Sequence, residues 1–273
     1  MTSDYCILVS SCDKYSDLWD NHFKLLFAHW EGEIPKIYLL TDKSTSAVIE
    51  NVSIIVVPKE DFPSRLHEAC DIIESKYVFL TLDDYYLQDV TKGEYFDYFV
   101  KSCIESNIDY LSVYNRKFTK KRFYSSHEKI EQLRLVYPYD VNLYPAIWKK
   151  EFLYNCTNSQ GNPWEFEPQL TFLANELNGR CYFNISGCYN ILDVVRKGKI
   201  LNKAYHYLKK NHYKLPNRKR ASPIMEIKES IANFLSWKLP RPIYRGIRKV
   251  AIFFGMKSYS NDVIKEKKNN SKK

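Results

Sequence analysis

The sequence lacks the signatures of several large enzyme classes. It has no GxSxG, HExxH or GxGxxG pattern, so a hydrolase nucleophile elbow, a zinc-protease site and a Rossmann dinucleotide fingerprint have no support. It also has no apolar run of about 18 residues, which argues against a membrane-spanning helix. The first residues, MTSDYCILVS, lack the basic segment of a secretory signal. We therefore expect a cytoplasmic protein with an ordinary folded core.

The seven cysteines are an odd number and include no CxxC pair. This spacing disfavours a disulfide framework or a zinc site. We therefore expect reduced, mostly buried thiols.

The net charge of +9 is unevenly distributed along the chain. From Lys214 to the end there are 16 Lys or Arg and 4 Asp or Glu, against 25 and 28 in the preceding residues. We predict a folded domain over residues 1–213, a basic amphipathic helical extension over 214–258 and a disordered Lys-rich tail over 259–273.

Strand and helix signals alternate through the first half of the chain. Short apolar runs such as CILVS, KIYLLTD, SIIVV and YVFLTL are separated by helical patterns. The alternation predicts an α/β fold, with a mostly parallel sheet flanked by helices on both faces. Ligands of such sheets bind at the carboxyl ends of strands. Asp13 and the adjacent pair Asp83 and Asp84 follow two such ends.

Three segments together resemble a known family. SRLHEACDIIESKYVFLTLDDYY places an Arg at the start of a helix, then a strand, then aspartates. YPAIWKKEFL and NPWEFEPQL follow farther along. This order resembles bacterial GT-A-fold glycosyltransferases of capsule and lipopolysaccharide (O-antigen) biosynthesis, from Tyr5 to Tyr213. The resemblance implies a nucleotide-sugar donor half (about 1–115), an acceptor half (about 116–213), and a single displacement that inverts the anomeric centre.

The aspartate pair departs from the DxD motif of that family. If Asp83 is the first aspartate, the third position is Tyr85, a poor metal ligand. Either Asp84 and Asp83 together bind Mn²⁺ or Mg²⁺, or the enzyme uses no metal and Arg65, Arg196 or Lys199 offsets the diphosphate charge. The alternative for the pair is a solvated turn after a strand.

The donor-side candidates are Ser10, Asp13, Arg65, Asp83, Asp84 and Lys199. Asp13, with Ser10 and Ser11 nearby, would contact the base or ribose of the nucleotide. Its alternative role is to cap the following helix. Arg65 would bind the diphosphate, or it is an ordinary surface residue at a helix start.

The acceptor-side candidates come from WEFEP and the nearby tryptophans. Glu167, slightly preferred over Glu165, would take the proton of the acceptor hydroxyl. Pro168 favours a helix that starts after both glutamates, where the helix dipole would lower the basicity of Glu167. The alternative is that both glutamates cap the helix. Trp148 and Trp164 would stack on a sugar, or they belong to the core.

The basic segment 214–273 has two possible roles. In PIYRGIRKVAIFFGMK apolar and basic residues separate at helical spacing, as in helices that lie on an anionic membrane. We therefore expect a cytoplasmic protein peripheral to the inner face of the cell membrane, with a saccharide or lipid-linked acceptor and no nucleic-acid partner. The alternative is a helix packed on the body with a solvated basic face.

Two other functions remain open from the sequence. A nucleotidyltransferase acting on sugar phosphates would use the same strand-end carboxylates, but it usually carries a glycine-rich phosphate loop, and SSCDKYSDLWD contains no glycine. A non-catalytic membrane-surface or sugar-binding protein would need no base.

Overall fold

The computed structural model describes residues 4–114, 130–136, 138–184 and 188–227. The chain divides into two compact units between Leu192 and Asp193. We had predicted this boundary after Tyr213. Residues 228–273 of the predicted basic extension and tail, and residues 115–129 of the predicted acceptor half, lie outside the described residues.

The described residues of the first unit form eleven strands and the helices that cover them. In chain order the strands are β1 (Tyr5–Ser10), β2 (Trp30–Glu31), β3 (Ile37–Thr41), β4 (Val52–Val56), β5 (Tyr77–Leu82), β6 (Tyr85–Leu87), β7 (Thr91–Lys92), β8 (Tyr110–Ser112), β9 (Ile130–Gln132), β10 (Ala146–Lys149) and β11 (Cys181–Asn184). Eight of the strands make one mixed sheet, and β2, β6 and β7 lie outside it. The helices are a 3₁₀ segment (Asp13–Leu18), α1 (Trp19–His29), α2 (Phe62–Ile72), α3 (Gly93–Glu105), α4 (Lys150–Cys156) and α5 (Pro163–Glu176).

The sheet is mostly parallel, as predicted. Its strand order is β4-β3-β1-β5-β10-β8-β11-β9. The β4, β3, β1 and β5 strands pair in parallel, as do β8 and β11, whereas β10 and β9 run antiparallel to their neighbours. The α/β fold class is therefore confirmed.

Two hydrophobic cores lie on opposite faces of this sheet. In β1, Cys6 and Leu8 pack with residues of α2, α4 and α5, and Ile7 and Val9 pack with residues of α1 and α3. Strands buried on both faces are near-continuous apolar runs, which is why β1 and β5 were predictable from sequence. All seven cysteines are free thiols and five are buried, as expected.

Helix α2 begins at Phe62, and Asp61 is its N-cap. Asp61 has an extended backbone, and its carboxylate accepts the Ser64 N–H at 2.9 Å. The same carboxylate accepts the N–H of Gly161, and the Gly161 carbonyl accepts the Phe62 N–H at 3.0 Å. Gly161 has φ = 125°, a conformation that favours glycine. Asp61 thereby joins the start of α2 to the segment that leads into α5.

Helix α5 begins earlier than predicted, at Pro163 and not near Pro168. Asn162 accepts the N–H groups of Trp164 and Glu165, at 3.0 and 3.2 Å, and Pro163 occupies the first position, where its missing N–H has no cost. Pro168 lies inside the helix. The helix is closed by Asn178, which has φ = 53°, and by the Gly179 N–H, which donates to the Ala174 carbonyl at 2.8 Å.

The second unit begins at Asp193, the last residue of β12 (Ile191–Asp193), and is described only as far as residue 227. It contains β13 (Val195–Arg196), β14 (Lys199–Ile200) and α6 (Asn202–Lys210). The β13 and β14 strands form an antiparallel pair, and the Glu226 carboxylate accepts the Asn202 N–H at 2.6 Å. None of the described helices, in either unit, has the length and apolar character that crossing a bilayer requires.

Candidate active site

A cleft of about 150 Å³ lies at the carboxyl ends of β1 and β5. The two strands pair with Ser10 beside Leu82, and the Asp83 N–H donates to the Ser10 carbonyl at 3.3 Å. Helices α2 and α5 contribute Arg65 and Glu167 to the lining. Since the carboxyl ends of parallel strands are the usual ligand sites of α/β proteins, this cleft is the candidate active site.

Asp83 is buried at the end of β5, with 6% of its surface exposed. The Ser11 hydroxyl donates to its carboxylate, and this hydroxyl in turn accepts from Trp19 Nε1 at 2.7 Å. His22 Nδ1 donates to the Asp83 backbone carbonyl at 3.1 Å. A solvated turn, the alternative interpretation of the pair, does not fit a carboxylate held in this way. Asp84, half-buried, also lines the cleft.

Arg65 contributes a buried positive charge to the cleft. It is 6% exposed, and its Nη1 donates to the backbone carbonyls of Lys59 (3.0 Å) and Glu60 (3.4 Å). Its Nε has no hydrogen-bond partner among the described residues. The alternative interpretation as a surface residue is wrong. Because Arg65 lines the cleft, its guanidinium favours an anionic ligand there. Ser10 Oγ is likewise buried without a partner in the described residues.

Glu167 lies on the cleft side of α5. Burial raises the pKa of its carboxyl, and the Leu143 N–H, which donates to Glu167 Oε1 at 3.0 Å, partly offsets this effect. The sequence argument had placed Glu167 before the helix and expected lower basicity. That expectation is wrong, because Glu167 is the fifth residue of α5 and its desolvation outweighs the hydrogen bond from the Leu143 N–H. A carboxylate with raised pKa at the edge of a cleft is suited to accept a proton.

Glu165 caps the helix, as the alternative interpretation stated. Its Oε2 accepts the Asn162 N–H at 3.1 Å and completes a capping box with the Asn162 side chain. It is exposed and is not among the residues that line the cleft. Because both glutamates lie in α5, side chains two positions apart point in different directions, and Glu165 and Glu167 do not share a face.

The two tryptophans have different environments. Trp164 is 52% exposed and lines the cleft, where its ring is available for stacking. Trp148 has no exposed surface and packs edge-to-face on Tyr110, with 4.6 Å between ring centres. The prediction that Trp148 stacks on an acceptor is therefore corrected. Trp148 is a core residue, because β10 is buried on both faces of the sheet.

The remaining predicted donor residues are Asp13 and Lys199. Asp13 begins the 3₁₀ segment, donates its N–H to Asp42 Oδ1 at 2.6 Å and places its carboxylate 3.4 Å from Lys43 Nζ. It is not among the residues that line the cleft. Lys199 is exposed in β14 of the second unit.

The residues present fit a metal shared with a ligand and not a metal cage. Within the described ranges, no group of three or more His, Cys, Asp or Glu side chains is placed to hold a metal ion. Tyr85, at the third DxD position, stacks on Tyr144, with 5.1 Å between ring centres and 9° between ring planes. Asp83 and Asp84 would supply one or two carboxylates, and Mg²⁺ commonly takes its remaining ligands from substrate phosphates and water.

Sequence reasoning missed three contributors to this site. His22 belongs to the apolar face of α1, and only its distant partner, the Asp83 carbonyl, reveals its role. Leu143 acts through its backbone, which leaves no signal in the side chain. Tyr144 lies in an aromatic, weakly periodic segment that we had predicted as loops and short helices.

No protein-family model and no curated protein match this sequence. Among solved structures, S. aureus TarS 1–349 in complex with UDP-GlcNAc superposes with a TM-score of 0.50 at 14% identity, over 72% of this chain and 60% of TarS 1–349. The mannosyltransferase PcManGT from Pyrobaculum calidifontis, in complex with GDP-Man and Mn²⁺, superposes with a TM-score of 0.47 at 11% identity, over 99% and 81% of the two chains. A cytidylyltransferase from Leptospira borgpetersenii gives 0.41 at 13% identity, over 80% and 99%.

The TarS likeness concerns the fold alone. This chain spans 60% of that TarS structure. Together with the strand order, it shows a GT-A-like α/β fold.

Proposed function

We propose that the protein is a glycosyltransferase that moves a sugar from a nucleotide-sugar donor to a saccharide or lipid-linked saccharide acceptor. The observation that carries this proposal is the meeting of three groups in one cleft. These are the Asp83 and Asp84 carboxylates, the buried Arg65 guanidinium with its unpartnered Nε, and the Glu167 carboxylate with its raised pKa. The two aspartates can hold a metal ion on the diphosphate, and Arg65 can offset the charge of this leaving group. Glu167 can take the proton of the acceptor hydroxyl.

The transfer is a single displacement. Glu167 takes the proton of the acceptor hydroxyl as that oxygen bonds to the anomeric carbon. The bond from this carbon to the diphosphate oxygen breaks, and its electron pair leaves on the diphosphate. Arg65 stabilises the negative charge that develops there. Attack from the face opposite the leaving group inverts the anomeric centre.

A divalent metal, Mn²⁺ or Mg²⁺, would be held by Asp83 and Asp84. When bound, it would supply further positive charge to the diphosphate. The Ser11 hydroxyl orients the Asp83 carboxylate, and His22 holds the Asp83 backbone carbonyl. The carboxylate therefore does not have to be ordered when the ligand binds.

The acceptor belongs, in this proposal, to cell-surface polysaccharide synthesis of the capsule or lipopolysaccharide type. The basic segment 214–273 would then bring the enzyme to the anionic inner face of the membrane, where lipid-linked acceptors are found. Support for this part comes from the sequence, with the excess of 16 Lys or Arg over 4 Asp or Glu.

The test is a thermal-shift panel of UDP, GDP, CMP and ADP, each with and without Mn²⁺. A ligand at about 100 times its Kd stabilises a protein by about 2.7 kcal/mol, which such a panel detects. We expect one nucleotide to raise the melting temperature of the wild type, and this shift to disappear in Asp83→Ala. A matched control, Asp20→Ala, changes a carboxylate on the exposed face of α1 that is ion-paired to Lys24 and should keep the shift.

The outcomes separate the candidate functions. A nucleotide that binds and then releases its sugar to a saccharide acceptor supports the glycosyltransferase. Formation of a nucleotide sugar from a nucleoside triphosphate and a sugar phosphate would replace it with a nucleotidyltransferase. If no nucleotide shifts the melting temperature while anionic vesicles bind the protein, the non-catalytic alternative stands.

A further inference from the structure

Three tyrosines form a nearly parallel stack beside the carboxylates of the cleft. The Tyr85 and Tyr144 ring centres are 5.1 Å apart with 9° between their planes, and those of Tyr144 and Tyr114 are 4.6 Å apart with 12°. All three rings are half-buried, and they pack on the core that includes α1 and α3. Tyr85 also lines the cleft. We call Tyr85, Tyr144 and Tyr114 the tyrosine stack.

Two of the three tyrosines adjoin, in the chain, residues that line the cleft. Tyr85 directly follows Asp84 in the chain. Tyr144 directly follows Leu143, whose N–H donates to Glu167. The Tyr144 N–H donates to Asn142 Oδ1 at 3.1 Å, and Asn142 is 6% exposed. Tyr85 and Leu143 both line the cleft, so a ligand that contacts Tyr85 would share the cleft with Asp83, Arg65 and Glu167.

The chemistry of the cleft differs along its length. Asp83, Asp84 and Arg65 make one part strongly polar, which suits a diphosphate with a metal. The stack adds flat aromatic rings, whose faces carry partial negative charge. The C–H groups on one face of a pyranose ring are apolar and slightly positive, so a sugar can lie on such a face while its hydroxyls remain free for hydrogen bonds.

We propose that a pyranose ring of a saccharide acceptor binds on the cleft side of Tyr85, and that Tyr144 and Tyr114 hold the Tyr85 ring in place. This inference rests on the proposed glycosyltransferase function. It assigns Tyr85, at the position where the DxD motif would supply a metal ligand, to the acceptor and not to the metal. The reactive hydroxyl of the acceptor is thereby directed toward Glu167.

The test is saturation-transfer difference NMR with methyl pyranosides of glucose, galactose, mannose and N-acetylglucosamine. The nucleotide that shifts the melting temperature is kept present at saturation. We expect at least one glycoside to receive saturation mainly at protons on one face of its ring. Tyr85→Phe, which keeps the ring, should retain this signal, and Tyr85→Leu, which keeps apolar volume without a ring, should raise the Kd about two- to tenfold.

Controls make the result independent of folding and of the donor site. Thermal unfolding and nucleotide affinity are measured for both variants, and Tyr85→Met gives a second ring-free variant in case Tyr85→Leu does not fold. Equal glycoside affinity in the Leu and Phe variants would overturn the inference, as would the absence of any glycoside signal in a wild type that binds nucleotide. A wild type that binds no nucleotide refutes the proposed function instead, and with it the basis of the subsite.

Discussion

The backbone N–H of Leu143 donates to the Glu167 carboxylate at 3.0 Å. This bond connects the segment before β10 to helix α5 and orients one carboxylate oxygen. Burial raises the pKa of Glu167 and the hydrogen bond from Leu143 lowers it, with a net rise. A carboxylate that is positioned by the backbone and is more basic than usual has the properties of a general base.

Glu167→Gln should abolish transfer while leaving the donor bound. Glutamine keeps the size of the side chain and can still accept from the Leu143 N–H, but it cannot take a proton from the acceptor hydroxyl. We expect the transfer rate to fall by about 10² to 10⁴-fold, with little change in nucleotide Kd. Initial rates measure the transfer, and titration calorimetry measures the Kd of the nucleotide for both proteins.

Glu165→Gln is the matched control for this prediction. Glutamine at the third helical position preserves the capping box, so both transfer and melting temperature should remain close to those of the wild type. If Glu165→Gln loses transfer and Glu167→Gln keeps it, the assignment of the base is reversed. An active double variant refutes a glutamate base altogether.

The pH profile of kcat/KM should report the raised pKa of Glu167. A general base must be ionised in the free enzyme, so transfer should rise with pH through the pKa of this group and lose activity below it. Because burial moves this pKa above its ordinary value of 4.5, the acidic limb should have its midpoint above pH 4.5. A midpoint at or below 4.5, measured with donor and acceptor that do not titrate in this range, contradicts the role of Glu167.

Arg65→Met should weaken binding of a nucleoside diphosphate much more than binding of the matching nucleoside. Methionine fills a similar buried volume and removes the positive charge beside the cleft. A hydrogen bond to a charged group contributes about 1.5 to 3 kcal/mol, which corresponds to about a 10- to 150-fold rise in Kd. Arg65→Lys should fall between the two, because the ammonium keeps the charge but lacks the Nε–H.

Calorimetry with both ligands distinguishes the diphosphate role from a structural one. A general disturbance of the cleft would weaken the nucleoside and the nucleoside diphosphate by similar factors. Loss confined to the diphosphate indicates that Arg65 contacts phosphate oxygens. Unchanged diphosphate affinity in Arg65→Met would contradict a phosphate-binding role for Arg65.

The fold and the polar half of the site were largely predictable from the sequence. The YVFLTL segment is an apolar run because β5 is covered on both faces, and the change to Asp83 and Asp84 marks its carboxyl end. These features depend on local pattern and on a general property of parallel sheets. Arg65 was singled out by the resemblance of its segment to GT-A glycosyltransferases, and its burial was not predicted.

The acceptor half was less predictable, for physical reasons. Pro168 resembled a helix-start signal, but Asn162 and Pro163 form a stronger one five residues earlier. Trp148 lies in a strand buried on both faces, so alternation could not show which face held a ligand. The contacts of His22 and Leu143 are to a backbone carbonyl and a side chain 61 and 24 residues away, and no local pattern encodes such distances.

His22 should make the stability of the protein depend on pH between about 6.5 and 4. Burial lowers the pKa of its imidazole to about 4, although its hydrogen bond to the Asp83 carbonyl favours the protonated form. Its ordinary pKa is about 6.5. Below pH 6.5 the unfolded chain binds a proton that the folded protein does not bind, so the stability contributed by neutral His22 is complete above 6.5 and is lost as the pH falls toward 4.

His22→Gln tests this linkage, because glutamine can still donate to the Asp83 carbonyl but does not titrate. The free energy of unfolding is measured by urea denaturation at pH 7.5 and pH 4.5 for both proteins. The other titrating groups are common to the two, so their contributions cancel in the difference. We expect the wild type to lose about 2 to 3 kcal/mol more than His22→Gln over this interval. Equal losses would show that the imidazole is protonated in the folded protein, and the Asp83 carbonyl would then be held by a charged group at the edge of the cleft.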